Sequence, residues 1–382
     1  MKYPMARLHV YWLRPRGAFR FGKSGIDAEK TSEHCPSDTL YAALATEALL
    51  GGCDFLFPPT GPGPGEDERA GNDDAPPDPP FLLSSAYPYA GTVLLLPRPL
   101  LPLRPLLRNQ EQARRLARVA YVSPTIFVHI LKQSQQQPPQ PHETPLDAYL
   151  PSSGGPSQGT LAMDGRVWIA HADGTPPDGQ ELFWSIHHTP YLRVDRVRPA
   201  SHLFHTAQVS FAPGCGLSVL CEERKPGGAE GLKALLQRLG DSGLGGKRAA
   251  GAGQFDVDGP SFIELPESPR PTRLVLLSRY RPSTTELAAN VLGPGARYHT
   301  VSVGGYFQSL DPDTAPQQRQ TVCLLGEGSV VRALPDGRPP IGTICNLAPN
   351  PASDASDTSD IGNSPTHPVW RYGLALGVGV GD

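Results

Sequence analysis

A chain of 382 residues can bury a sizeable core, and its length favours two domains over one. Hydrophobic residues reach only 38%, while Gly (41) and Pro (44) together exceed a fifth of the chain, so a loop-rich α/β-mixed protein with long insertions is expected and a compact all-helical one is excluded. The net charge of −3 argues at first against a nucleic-acid partner, but residues 61–80 carry −5 and residues 351–360 carry −3, so the remainder is basic and mostly arginine.

In chain order, the N-terminus has Arg7, Arg14 and Arg16 where a signal peptide needs an apolar run, and no stretch approaches the ~20 apolar residues of a membrane span, so a cytoplasmic protein is predicted. "RLHVYWLRPR" (7–16) alternates apolar and polar residues as a half-buried strand does. "SDTLYAALATEALLGG" (37–52) reads as a helix capped at Ser37 or Asp38, with Leu40, Leu44, Ala48 and Leu49 on one face and Gly51-Gly52 as its stop. "FLLSSAYPY" and "TVLLLPRPLL" form a hairpin joined at Ala90-Gly91. A short basic helix with Arg114, Arg115 and Arg118 follows, read as a solvated face or a protein contact. Next come a strand and a helix entered by Ser123-Pro124, whose His129 is read as a core residue.

Three low-complexity segments, 58–80, 133–160 and 348–367, lack the apolar residues to offset their ordering entropy and read as disordered or irregular insertions. The second half repeats the pattern: a strand at 215–223, an amphipathic helix at 229–241 with Leu232, Leu235, Leu236 and Leu239 inward, then strands at 272–280, in 297–307 and 321–334, and at the C-terminus, with a helix in "TTELAANVL". The arrangement predicts an α+β fold of two ferredoxin-like modules, divided as 1–205 and 206–382. The six cysteines (35, 53, 215, 221, 323, 345) contain no C-x-x-C pair, so reduced thiols, no metal and no cofactor are expected.

"DSGLGGKRAAGAGQF" (241–255) places five glycines around Lys247 and Arg248, with Leu244 and Ala252 as apolar fillers. It lacks the Ser/Thr after lysine of a phosphate-binding P-loop and the following helix of a dinucleotide fingerprint. Bare backbone N–H groups beside two cations suit phosphate, whereas the bland reading is a tight helix-to-strand connection with two solvated cations; spacing alone leaves both open.

That loop, with "FRFGKSGIDAEKTSEHCPSDTLYAAL" (19–44), "PFLLSSAYPYAGTVLLLPRPLLP" (80–102), "YLRVDRVRPASHLFHTAQVSF" (191–211), "SVGGYF" (302–307) and "HPVWRYGLAL" (367–376), resembles the RAMP superfamily and, within it, the family of the fourth subunit of the Csm complex, the type III-A CRISPR effector. The resemblance implies a non-catalytic subunit that caps the crRNA 5′ end and holds its 5′ handle. It also implies docking to the large polymerase/cyclase subunit and to an adjacent backbone RAMP subunit in antiviral defence. Carried over residue by residue, it assigns RNA contacts to Gly245, Gly246, Lys247 and Arg248 in the glycine loop 243–253, to Phe21, Gly22 and Lys23, and to His34 and Ser37. Arg193, Arg196 and Arg198 fall in a thumb hairpin near 184–206. Phe19, Phe21, Tyr280 and Tyr306 are the aromatics expected to be available for base stacking.

The rival expectation is a RAMP-type, metal-independent endoribonuclease that processes crRNA precursors. Such an enzyme needs a general base beside a second acid or a cation, and His9, His34 and His187-His188 come without a partner at recognisable spacing.

Overall fold

A computed structural model describes residues 5–22, 30–53, 78–103, 110–135, 144–151, 157–177, 179–194, 201–268, 270–307, 317–348 and 369–381. Its elements in chain order begin with strand β1 (Met5–Pro15) and helix α1 (Ser37–Leu50), followed by β2 (Phe81–Leu83), β3 (Tyr87–Ala90) and β4 (Val93–Leu94). A middle region holds β5 (Leu96–Pro97), α2 (Gln110–Leu116), β6 (Tyr121–Val122), α3 (Pro124–Gln135), β7 (Gly159–Ala162) and β8 (Val167–Ala170). Two long strands, β9 (Trp184–Val194) and β10 (Ser201–Phe211), pair with each other as a hairpin. β11 (Cys215–Glu223), α4 (Gly228–Ser242) and β12 (Phe255–Pro266) come next.

The C-terminal part contains β13 (Arg273–Leu276), α5 (Thr284–Ala288), β14 (Thr300–Val303), β15 (Tyr306–Phe307) and β16 (Gln317–Gln318). It ends with β17 (Val322–Leu325), β18 (Val330–Arg332), β19 (Gly342–Asn346), β20 (Trp370–Leu374) and β21 (Gly377–Val380). Mixed helix and strand is what the sequence predicts.

The strand pairing divides the chain elsewhere than at 205/206. The main sheet runs β12-β1-β11-β3-β4, with β2 also on β11, and every pairing in it is antiparallel. β11 and β12, assigned from sequence to a second module, therefore flank β1, with His9 opposite Cys221 on one side and Phe262 on the other. An 11-residue strand leaves two long edges to be covered, and β11 and β12, of 9 and 12 residues, are long enough to cover them. Between β4 and β11, the middle region builds its own four-stranded sheet, β5-β6-β8-β7. Among the described residues the C-terminal part has one helix, the five-residue α5, and short strands in a β18-β13-β21 sheet and three two-stranded pairs.

α4 buries Leu232, Leu235, Leu236 and Leu239, as its 3.6-residue period demands. α1 starts after Pro36 with no side-chain cap, so Ser37 and Asp38 lie inside the first turn rather than capping it; Leu40, Leu44 and Ala48 are buried, but Leu49 is exposed. α1 packs against α4 and against β20, and the Tyr41 and Tyr372 rings lie 4.9 Å apart. One continuous apolar cluster joins β1, α1, α4, the middle sheet and parts of β13, β20 and β21. Tyr372 accepts the Leu83 N–H (3.0 Å) across that junction. Both halves share a core.

Candidate nucleic-acid interface

α4 stops at Ser242, and the chain reaches β12 through a path that only glycine permits at several points. Gly243, Gly245, Gly251 and Gly253 all have positive φ. A Cβ on Gly245 would meet the Arg20 carbonyl oxygen at 2.5 Å, and one on Gly253 the Leu244 carbonyl oxygen at 2.3 Å. These glycines therefore fold the loop onto itself and against residues 18–21. Leu244 N–H donates to Gly253 O, Gly253 N–H to Ala18 O and Gly246 N–H to Arg20 O, each at 2.9 Å. The Gly246 amide, read from sequence as a phosphate donor, is already satisfied within the protein. Leu244 and Ala252 are buried fillers, as expected.

The cations at the loop's crown face outward. Arg248 is exposed, in a single 3₁₀ turn with Ala249 and Ala250. Lys247 sits at φ 65°, ψ 25°, a left-handed conformation costing a non-glycine residue about 1 kcal/mol. Its Nζ lies 4.6 Å from the centre of the Tyr191 ring and 5.4 Å from that of Phe204. Those two residues face each other across the β9–β10 hairpin, rings stacked at 5.7 Å. The hairpin also exposes Ile186, Leu192 and Leu203.

Residues 18–22 tie the hairpin to the loop. Phe19 exchanges both backbone hydrogen bonds with Val209 of β10 (2.8 Å each), and Arg20 bridges in parallel to Gly245. Phe19 and Phe21 stack on each other at 5.4 Å, fully within the core, and Tyr280 is buried as well, so none of the three is available to a base. Gly22 is exposed and pairs with Thr31. Lys23, Arg196 and Arg198 lie outside the described residues, as do the side chains of Arg193 and Tyr306, although Arg193 pairs with His202 in the hairpin backbone.

Sequence reasoning passed over three residues that this geometry brings together. Arg20, between two buried phenylalanines, turns to the opposite side and lays its guanidinium beside Gly246. The alternation buried–polar–buried in "FRF" carried that signal. Tyr191 and Phe204 are the other two, and hairpin register was the clue to them.

His34 and Ser37 belong to a different place. Ser37 is fully buried; its N–H donates to Ser85 Oγ (2.8 Å) and its Oγ accepts the Arg279 N–H (2.9 Å). It is thus withdrawn from RNA. Asp38, also fully buried, holds Arg279 (2.9 Å), while Arg371 donates to its carbonyl oxygen (3.0 Å) and lies 3.5 Å from its carboxylate. His34 contacts Ser32 Oγ (3.1 Å) and Tyr121 OH (3.0 Å) through Nδ1, with Glu327 Oε1 3.7 Å from Nε2. Burial pushes the Glu327 carboxyl up, but His34, Arg279 and Ser85 outweigh it and hold it well below the usual carboxylate range. This network links α1 to the C-terminal part. It is an internal joint rather than a ligand surface.

His9 lies 4.0 Å from Glu223 and packs on the Phe262 ring, and His187 bonds Ser185 on the hairpin (2.7 Å). Among the described residues, no group of three or more His, Cys, Asp or Glu side chains is placed to hold a metal ion, and no helix is long and apolar enough to cross a membrane. The cysteines are free thiols; burial pushes Cys215 up to about 11.

Residues 271–380 match the family model described as the CRISPR Csm4 C-terminal domain. No curated protein sequence matches the chain. Over 98% of its length the chain superposes on 100% of a chain in the crystal structure of the Csm3–Csm4 subcomplex of the type III-A CRISPR-Cas interference complex, with TM-score 0.56 and 14% identity. It also resembles a chain in the crystal structure of the Csm1–Csm4 cassette in complex with cA4, with TM-score 0.51, 18% identity and 98% of each chain covered. At these identities the likeness is one of fold.

Proposed function

We propose that the chain, with a match to the Csm4 C-terminal domain at 271–380 and a Csm4-like fold along its length, is a Csm4-family subunit that caps the 5′ end of crRNA and holds the 5′ handle without cutting it. In this reading β1-α1-β2/β3-β11-α4-β12 is one ferredoxin-like RAMP module and the C-terminal part a reduced second one. The chain bridges the large polymerase/cyclase subunit and the first backbone RAMP subunit in the cytoplasm, in keeping with the two kinds of complex in which its structural neighbours occur.

The observation that carries the reading is Lys247. Glycine would relieve its left-handed backbone, yet a lysine stands there, its ammonium against two hairpin aromatics and beside exposed Arg248. Phosphate and base chemistry are thereby offered at one spot: cations for the backbone, and a stacked Tyr191/Phe204 pair for an unstacked base. Glycines serve this site indirectly, by fixing the crown, rather than by baring amides.

The test is copurification of the chain in its effector complex, followed by sequencing of bound RNA. Handle-containing crRNA is expected. Lys247→Ala with Arg248→Ala should lower the slope of log K against log[salt] by about 1.4, at about 0.7 per single-strand phosphate contact. An unchanged slope, or site-specific cutting of repeat RNA in EDTA that is lost with His9 or His34 replacement, overturns it.

A further inference from the structure

We propose that the groove between α2 and the β7–β8 turn is a second binding surface, taking the phosphate backbone of single-stranded RNA. It rests on the RNA-binding reading above but uses residues remote in sequence from the glycine loop. The groove is a cavity of about 440 Å³ lined by Arg114, Arg115, Arg118, Leu161, Asp164 and Gly165. All three arginines are exposed, and among the described residues no ion pair engages any of them. Among the described residues Asp164 is the one carboxylate in the lining, so the wall keeps a surplus of positive charge.

That surplus has a cost. A helix C-terminus welcomes a cation, but Arg114 and Arg115 in the last turn of α2, with Arg118 just beyond its end, set three guanidinia within five residues, where they repel one another. An anion spanning them removes the repulsion, and the planar fork of arginine fits two phosphate oxygens at once. On the opposite rim, Met163 and Asp164 are both non-glycine residues at φ 54°. Leu161 supplies an apolar floor against which a base or ribose can lie.

Gly165 leads directly into Arg166, which pairs with Glu33 and lies 5.8 Å from the ring of Trp184, the first residue of the β9–β10 hairpin. Charge complementarity between three exposed guanidinia and a polyanion, in a chain read as RNA-binding, favours RNA over an acidic protein segment.

The probe is an unstructured single-stranded RNA of about 20 nucleotides without a repeat handle, titrated by anisotropy against the full-length chain at several salt concentrations. Arg114→Gln, Arg115→Gln and Arg118→Gln combined should reduce the salt slope by about 2 and weaken binding about 100-fold at 0.1 M salt, from about 0.7 per contact. Arg→Lys at the same positions should restore the slope, and an unchanged thermal midpoint verifies folding. Unaltered slope and affinity overturn the proposal. So does loss of a protein subunit from the assembled complex with the RNA slope intact, which assigns the groove to an acidic protein surface. Handle RNA measured in parallel separates the readings. If it binds and responds to Lys247→Ala/Arg248→Ala while the groove variant is silent, only this inference falls; if wild type binds neither RNA, both fall.

Discussion

Around Asp38, charged side chains from α1, from residue 279, from residue 327 and from β20 are enclosed and matched with one another; around Lys247, cations stand at the surface against aromatic rings and backbone. The first arrangement resolves charge internally, so its members are committed to the fold. The second leaves charge unresolved, so its members remain available to a ligand. Charge in a folded protein informs about function chiefly where no acid answers it. Both regions are polar and carry cationic side chains, and enclosure separates them.

The contrast breaks most readily at Asp38. Asp38→Asn strands Arg279 and Arg371 in the interior, and a loss of about 3–5 kcal/mol in urea unfolding is expected. A loss below about 1 kcal/mol would show that the joint is not structural. Next in size, Gly253→Ala sets a Cβ against Leu244 O in a left-handed residue, which should cost about 1–3 kcal/mol and loosen the crown. Differential scanning calorimetry together with RNA titration would detect both consequences.

Acid should act on the enclosed region through Glu327. The folded pKa of Glu327 lies below its unfolded value near 4.3, so its contribution is complete above that pH and is lost as pH falls toward the folded pKa. Glu327→Gln should flatten the stability–pH curve below about pH 4.5 relative to wild type. The smallest effect on folding belongs to Lys247→Ala with Arg248→Ala. It should shift stability by about 0.5–1 kcal/mol, the worth of an exposed cation–π contact, while RNA affinity falls far more.

Much of the fold was legible in residue order. The leucine stripe of α4 and the Pro124 start of α3 formed as their spacing required, and β1 formed as a strand, although a bulge between Val10 and Trp12 breaks its alternation and buries Tyr11. Partner choice was not legible, because alternation announces a strand without naming its neighbours, and β1 finds them more than 200 residues away. The site divided in the same way. Lys247 and Arg248 emerged where the loop promised. Ser37 did not, since its acceptors and donors come from Ser85 and Arg279, too distant in sequence for any local pattern to register. Phe21 misled because an aromatic beside a basic residue was read as exposed, when strict alternation with Arg20 already placed it inside.

The seat of β1 between β11 and β12 sets a timetable for synthesis. The first ordered strand to leave the ribosome cannot complete its hydrogen bonds until Pro266 has been translated, about 10–50 s later at 5–20 residues per second. Through that interval an apolar ribbon with two open edges waits in the cell. Maturation of this subunit is thus bound to be slow and dominated by long-range contacts, and its yield should rise when a chaperone or an assembly partner shields the nascent N-terminus.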